Sequence, residues 1–290
     1  MIAAILVVAA LQAGAPPTAR PAAGTTRPRA TASITRRQTP TPARRRNVAK
    51  VVIDAGHGGV DPGAPMLTSG SLREKDVTLQ LALKVGNTLR QRGIEVVYTR
   101  STDTLIALAD RGRRANQAGG DVFISIHVNA ANKHWKNPGA ARGFETYFLA
   151  EAKTEDARRV EAMENEATRF EGAAPLDSSD PLSFILRDME QNQYLRESSD
   201  FAGIVQRRLG QVHPGPSRGV KQAGFHVLVT ALMPAILIET GFGTNASEAA
   251  YLASPVRQQA LARVIADATA EYLERYQRRV GSGALLGLHD

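Results

Sequence analysis

The chain has 290 residues, a net charge of +8 and no cysteine. The lack of cysteine excludes disulfide bonds, zinc sites built from thiolates and a cysteine nucleophile. Nine positive charges and no acidic residue lie in residues 16–50, so residues 51–290 carry a net charge of −1. The high pI therefore belongs to an N-terminal segment, and no specific nucleic-acid site is predicted.

Two segments precede the expected folded part. Residues 1–15 have no charged side chain, and their apolar run ends on small residues, as before a signal-peptidase site. The run is too short for a transmembrane helix, which needs about 20 apolar residues. We predict a signal peptide over residues 1–15, with a frayed apolar N-terminus as the alternative, and export to the periplasm or cell envelope. Residues 16–49, rich in Pro, Thr and Arg, are predicted to be a disordered linker, either a solvated spacer or a segment that lies on an anionic polymer.

Strands and helices alternate over residues 50–276, the predicted catalytic domain. The apolar patterns predict strands at residues 51–53, 94–98, 122–126, 143–149, 225–229 and 235–238. They predict helices at residues 77–92, 154–170, 182–209 (with an interruption near residue 198), 247–252 and 256–276, and one that ends near residue 119. Residues 171–181 have the composition of a loop and residues 277–290 that of a loose tail. This order is typical of an α/β fold, a single domain with a mostly parallel twisted sheet and helices on both faces.

Three of these strands end on residues that bind metals or move protons. His57 follows the first strand, His127 follows the strand at 122–126, and Glu239 follows the strand at 235–238. In open α/β sheets, ligands bind outside the carboxyl ends of the strands. A catalytic zinc ion usually has three His or carboxylate ligands and keeps one position for water. The sequence therefore predicts a zinc hydrolase with its metal site at this edge of the sheet.

The third ligand must be an acid that lies near His57 and His127 in space. The acids that follow the first strand are Asp54, Asp61, Glu74 and Asp76. We choose Glu74 because it comes just before a predicted helix, where backbone N–H groups of the helix start can fix a carboxylate. Glu239 is then the candidate general base, since zinc lowers the pKa of bound water to about 7 and a nearby carboxylate can take its proton.

The spacing alone leaves other interpretations open. His57 could be an ordinary loop histidine and His127 a core histidine with a satisfied ring. The remaining four histidines are interpreted as surface or structural residues: His134, His213, His226 within a strand, and His289 in the tail.

These segments resemble the zinc-dependent N-acetylmuramoyl-L-alanine amidases, the cell-wall hydrolase family that includes the bacterial division amidases. The resemblance covers nearly all of residues 50–276 in order. Its pieces are VIDAGHGG at 52–59, EKDVTL at 74–79, FISIHVNA at 123–130, GFETY at 143–147, RGVKQA at 218–223 and MPAILIETGF at 233–242.

The resemblance implies roles for single residues. The family's zinc ligands fall on His57, Glu74 and His127, with one Zn²⁺ per chain, and its catalytic glutamate falls on Glu239. The expected reaction is cleavage of the amide between N-acetylmuramic acid and the L-alanine of the stem peptide in peptidoglycan. A role in cell-wall remodelling or daughter-cell separation would follow.

One region departs from the family's shorter members. Residues 151–197 are a charged stretch at the place where the division amidases carry a helix that plugs the active site until an activator protein displaces it. We take Glu164 as the hypothetical plug, an autoinhibitory ligand to the metal. The alternative is a solvated charged helix that does not contact the metal.

Two further functions compete with the amidase. A zinc peptidase that cuts stem peptides would use the same metal chemistry. A non-catalytic wall-binding regulator would keep the fold but lack the enzymatic activity. A third possibility, non-specific binding of nucleic acid, depends only on the basic segment before residue 51.

Overall fold

The computed structural model describes residues 48–68, 70–171 and 181–286, and for residues 181–193 and 280–286 the course of the backbone only. The predicted signal peptide, nearly all of the linker, most of the loop at 171–181 and His289 lie outside the described residues. Within the described part, no helix combines the length and the apolar character needed to cross a membrane.

A six-stranded sheet forms the centre of the domain, in the order β2-β1-β3-β6-β4-β5. The strands are β1 (Lys50–Ala55), β2 (Glu95–Tyr98), β3 (Val122–Asn129), β4 (Phe144–Leu149), β5 (Ser217–Ala223) and β6 (Ala235–Phe242). All neighbouring strands run parallel except β4, which is antiparallel to β6. The prediction of a mostly parallel sheet is confirmed.

Helices cover both faces of the sheet, as predicted. They are α1 (Glu74–Arg90), α2 (Leu108–Ala118), α3 (Glu155–Asn165), α4 (Pro181–Leu209), α5 (His226–Val229), α6 (Ala246–Ala253) and α7 (Pro255–Leu286), with 3₁₀ turns at Pro138–Ala140 and Glu166–Phe170. One apolar core lies between the sheet and α1, α4, α6 and α7, and the second lies under α2, α3 and α5. Because both faces are covered, β3 and β6 are buried at every residue.

The strand predicted at residues 225–229 is wrong. Most of this segment folds as the short helix α5. Phe225, at the N-cap position just before the helix, and Leu228 within it are both buried. The amide of His226 donates to the side chain of Asn165, so a contact from α3 supports the start of the helix. His226 is therefore half-buried on a helix, not part of a strand.

Two boundaries also differ from the predictions. α4 runs without a break through Ser198, whose hydroxyl accepts a hydrogen bond from the amide of Ala235. α7 continues to Leu286, so the first ten residues of the predicted loose tail are helical. Arg279 in this part of α7 makes ion pairs with Glu197 and Asp200 of α4, which provides the side-chain support that its composition did not indicate.

Candidate active site

The three predicted strand ends meet at one edge of the sheet. β3 lies between β1 and β6, and His127 on β3 is the direct neighbour of Glu239 on β6. His57 lies two residues beyond the end of β1. Parallel strand order thus brings together residues that are up to 182 positions apart in the chain.

His57 is held in a strained backbone conformation. Among the described residues it is the sole non-glycine residue with positive φ, at 60°. Arg111 Nη2 donates to the carbonyl of His57 at 3.0 Å and holds the turn in place. The ring Nδ1 donates to Asp61 Oδ2 at 2.8 Å, which fixes the tautomer and leaves Nε2 directed at the other site residues.

Glu74 is the first residue of α1 and is completely buried. Its Oε1 accepts from the amide of Val128 at 2.7 Å, and its Oε2 accepts from the amide of Ala64 at 2.6 Å. Backbone N–H groups do fix this carboxylate, but they come from β3 and from the loop after His57, not from the helix start that we predicted. Glu74 Oε1 lies 3.2 Å from His57 Nε2.

His127 packs directly over a glycine. A Cβ atom on Gly56 would lie 2.4 Å from His127 Cε1, so glycine is required for the ring to occupy its place. His127 Nδ1 lies 3.4 Å from Glu74 Oε1. The loop glycine Gly63, with φ at 71°, allows a similarly close approach to Glu74 and His57.

A fourth side chain completes this group, and it comes from α3. Glu164 is buried, and its Oε2 lies 2.7 Å from His127 Nδ1 and 3.2 Å from His57 Nε2. One potential ligand atom from each of His57, Glu74, His127 and Glu164 falls within 4.8 Å of the others. The sequence-predicted ligands and the hypothetical plug residue are therefore adjacent, and α3 is not a solvated helix.

The electrostatics of this group favour a cation. Burial alone would lower the pKa of His57, but Glu74, Asp61 and Glu164 raise it well above its ordinary value. Burial likewise opposes the charge of His127, yet Glu164 and Glu74 raise its pKa to about 10. Buried carboxylates need a compensating positive charge. His57 Nε2, both ring nitrogens of His127 and Glu164 Oε2 have no good hydrogen-bond partner, so the residues present fit a metal ion.

Glu239 is completely buried, and neither of its carboxylate oxygens has a hydrogen-bond partner among the described residues. Burial, followed by the charge of Glu164, raises its pKa well above the ordinary value. A buried carboxylate without partners is unusual, and raised pKa values of this kind are typical of groups that accept and release protons.

A buried network that sequence reasoning missed supports the turn before His57. Asp54 Oδ1 pairs with Arg111 Nη1 at 3.0 Å and accepts from Thr99, while its Oδ2 accepts from Ser125. Arg100 donates to the carbonyls of Ala55 and Gly56. The sequence shows these arginines in the segment 98–114, predicted as a strand and a helix. Nothing in their spacing identifies their partners in the first strand and its loop, which are about 50 positions away.

We call α3 and the following 3₁₀ turn, residues 155–170, the lid. Its apolar side lies on the second core through Ala157, Val160 and Ala167. Polar contacts hold its rim: Asp156 with Arg218 and Lys221, Arg159 with the carbonyl of Ala130, Glu161 with the amide of Gly224, and Asn165 with Gly224 and His226. A groove of about 280 Å³ remains between the lid and the loop after His57.

The other histidines lie away from this group. His134 is exposed, and His213 packs between Phe144 and Tyr251, with its Nδ1 accepting from the amide of Gly215. Their interpretation as surface and structural residues agrees with these positions.

Comparison with known proteins extends over the same part of the chain. The family model described as N-acetylmuramoyl-L-alanine amidase matches residues 51–271. The N-acetylmuramoyl-L-alanine amidase AmiA of Escherichia coli strain K12 is 33% identical over 231 residues, which are 79% of this chain and 78% of that protein. The amidase AmiC of Neisseria meningitidis is 35% identical over 83% of this chain and 57% of its own length. The crystal structure of an N-acetylmuramoyl-L-alanine amidase from Clostridium difficile 630 superposes with a TM-score of 0.59 at 32% identity, covering 79% of this chain and 98% of that one.

Proposed function

Because the chain belongs to the N-acetylmuramoyl-L-alanine amidase family, we propose that it hydrolyses the amide bond between N-acetylmuramic acid and the L-alanine of the stem peptide in peptidoglycan. The observation that carries this conclusion is the buried group of His57, Glu74 and His127 beside the unpartnered carboxylate of Glu239. This activity fits a role in cell-wall remodelling or daughter-cell separation.

We assign one zinc ion per chain to His57, Glu74 and His127. Imidazole and carboxylate ligands suit zinc, and the chain has no thiolate to offer. When bound, the ion supplies Lewis acidity towards the scissile carbonyl and lowers the pKa of water. Asp61 keeps the ring of His57 in the tautomer that presents Nε2, and the amides of Ala64 and Val128 hold the carboxylate of Glu74 in position.

Glu239 serves as the general base and then as the general acid. Its carboxylate takes a proton from the attacking water, whose oxygen forms the new bond to the lactyl carbonyl carbon. As the C–N bond breaks, Glu239 returns the proton to the amine of L-alanine. The products are a lactyl carboxylate and a free alanine amine. Burial raises the pKa of Glu239, which makes its carboxylate a stronger base towards the proton of the attacking water.

Glu164 acts as an autoinhibitory ligand. Its carboxylate lies against both histidines, in the space that the substrate carbonyl and the attacking water need. The rim contacts of the lid are polar and lie near the surface, so an activator protein could exchange them for its own. We therefore propose a closed resting enzyme and an activator partner that displaces the lid.

The substrate of this reaction lies outside the cytoplasm. We accordingly retain the proposal that residues 1–15 direct export to the periplasm or cell envelope. The basic segment that follows remains a candidate for contact with anionic wall polymers.

The test is the release of stem peptides with a free N-terminal alanine from purified peptidoglycan. We expect Glu239→Gln to lower the rate by about 10²–10⁴-fold, and zinc chelation to abolish it reversibly. Glu164→Ala should raise the basal rate. Glu166→Ala, an exposed lid residue paired with Arg169, serves as the matched control and should leave the rate unchanged.

Product analysis separates the amidase from the zinc peptidase. An amidase frees the alanine amine, whereas a peptidase leaves the sugar–peptide bond intact. A folded, zinc-loaded Glu164→Ala chain that releases no alanine-terminated peptide would contradict the proposal.

A further inference from the structure

A second cluster of charged residues lies beside Glu239 and has no part in the reaction described above. Asp156 Oδ2 accepts from Arg218 Nη2 and from Lys221 Nζ, both at 2.8 Å. Both cations also contact Glu145, and the hydroxyl of Tyr147 donates to the other oxygen of that carboxylate. With the lid in place, Arg218 and Lys221 therefore face two carboxylates. Arg159 also pairs with Asp156, at 3.1 Å, but it is a lid residue and leaves together with Asp156.

The two carboxylates are attached to different parts of the molecule. Glu145 is completely buried on β4, between its neighbours β6 and β5, so it belongs to the sheet. Asp156 is on the lid, and a quarter of its side chain is exposed. If the lid moves away, Glu145 balances only one of the two cations. Arg218 and Lys221 then form a site of net charge +1 with unfilled donors. The planar guanidinium and the ammonium group are the side chains that bind carboxylates.

The cluster is close to the reacting groups. Glu145 is the direct cross-strand neighbour of Glu239, and the guanidinium of Arg218 lies 5.2 Å from the ring centre of Phe242, the last residue of β6. The site for an anion is therefore one strand away from the general base, on the face of β4 and β5 that the lid covers.

The distance between two acidic residues of the lid indicates how long a ligand must be to contact both the histidines and the basic pair. Asp156 and Glu164 are eight residues apart on α3, a rise of about 12 Å. That length matches roughly three to four residues of an extended peptide. Glu164 lies at the histidines and Asp156 lies at the basic pair. An extended peptide could place its scissile amide at the first position and an acidic group at the second.

We propose that Arg218 and Lys221 bind a free carboxylate of the stem peptide, and that Asp156 occupies this subsite when the lid is closed. The inference rests on the proposed function, since it names the part of that substrate which the site recognises. It also explains why the lid carries an acid at both positions: each carboxylate fills a place that the substrate takes.

Equilibrium binding tests the proposed carboxylate subsite without the need for turnover. The probes are the tripeptide L-Ala-γ-D-Glu-L-Lys with free carboxylates and the same peptide with those groups as carboxamides. The protein is the full chain with Asp156→Ala and Glu164→Ala, which vacates both places. We expect the acid peptide to bind about tenfold more tightly than the amide, the loss that follows from removing a hydrogen bond to a charged group.

Adding Lys221→Gln should remove this preference, and Lys221→Arg should restore it. Lys84→Gln, the same change of charge on α1, is the control and should retain the preference. Circular dichroism checks that each variant is folded. Equal binding of the two peptides, no binding of either, or a preference that survives Lys221→Gln would overturn the proposal.

Kinetics separate this inference from the proposed function. With muramyl tripeptides as substrates, Lys221→Gln should raise KM for the acid form and leave kcat and the amide form unchanged. If neither substrate is cleaved by any variant, the proposed function is wrong, while the binding preference still decides the role of Lys221.

Discussion

Arg111 and Asp156 each form an ion pair that holds one wall of the active site, but their surroundings differ. The side chains of Arg111 and Asp54 are 2% and 0% exposed, and they lie beneath the strand ends that carry His57 and His127. The side chains of Asp156 and Arg218 are 25% and 27% exposed, at the rim of the lid that carries Glu164.

This difference determines which wall can move. Breaking a buried pair leaves an uncompensated charge in the core and costs about 3–5 kcal/mol, whereas exposed pairs contribute about 0–1 kcal/mol. We call the wall formed by the ends of β1 and β3, which carry His57 and His127, the strand-end wall. It therefore stays intact for as long as the domain is folded. When the lid leaves, it loses a few such rim contacts, the apolar surface under Ala157 and Val160, and the buried contacts of Glu164 with His57 and His127. The last are the contacts that the substrate and the attacking water replace in the proposed reaction.

The largest effect is expected for Arg111→Ala. The substitution leaves Asp54 unpaired and removes the donors to the carbonyls of Ala55 and His57. We expect a loss of about 3–5 kcal/mol in the free energy of unfolding, measured by urea denaturation. Arg113→Ala, on the same helix, breaks only the exposed pair with Asp110 and should change stability by less than about 0.5 kcal/mol. Equal losses for the two variants would remove the distinction between the walls.

Gly56→Ala should act on the metal site rather than on the fold. The new Cβ would lie within 3 Å of three atoms of the His127 ring and would displace it. We expect zinc affinity to fall by more than the 10–100-fold that loss of a supporting contact typically causes, measured by competition with a chromophoric chelator. Gly203→Ala on α4, where a Cβ meets nothing closer than 3.7 Å, should bind zinc normally.

Asp61→Ala should have a smaller effect on the same measurement. The variant keeps all the assigned ligands but loses the hydrogen bond that fixes the His57 ring. We expect a decrease in zinc affinity of about 10–100-fold, with Asp110→Ala as the exposed control. An unchanged affinity would mean that the strained turn at His57 positions the ring without help from Asp61.

The sequence located the strand-end wall better than the lid contacts, for physical reasons. Short apolar runs that end on His57, His127 and Glu239 are visible because central strands are buried on both faces. β5 was missed because it is an edge strand whose residues are mostly polar and half-exposed. The neighbourhood of Glu145 and Glu239 depends on the antiparallel register of β4 against β6, which no local pattern specifies.

The smallest effect is expected for Asp156→Asn, and it should be confined to the lid. Lys221 and Arg159 lower the pKa of Asp156 to about 2 against the effect of burial, compared with an ordinary value of 3.8. Because the folded-state pKa is the lower one, the stabilisation is complete above about pH 4 and is lost as the pH falls through about 2. At pH 7 the variant should therefore show its full effect, about 1 kcal/mol or less.

Hydrogen exchange can resolve so small a change by region. We expect amides of α3 to exchange up to about fivefold faster in Asp156→Asn at pH 7, while amides of β1 and β3 keep their rates, because the lid opens without unfolding the sheet. The difference in exchange rate from the unsubstituted chain should shrink at pH 3, where the stabilisation by the ionised carboxylate of Asp156 begins to be lost. Glu166→Gln, an exposed change on the lid, should alter neither region. Faster exchange in β1 and β3 together with α3 would mean that the lid and the strand-end wall open as one unit, and that the rim contacts of Asp156 do not act as a separate latch.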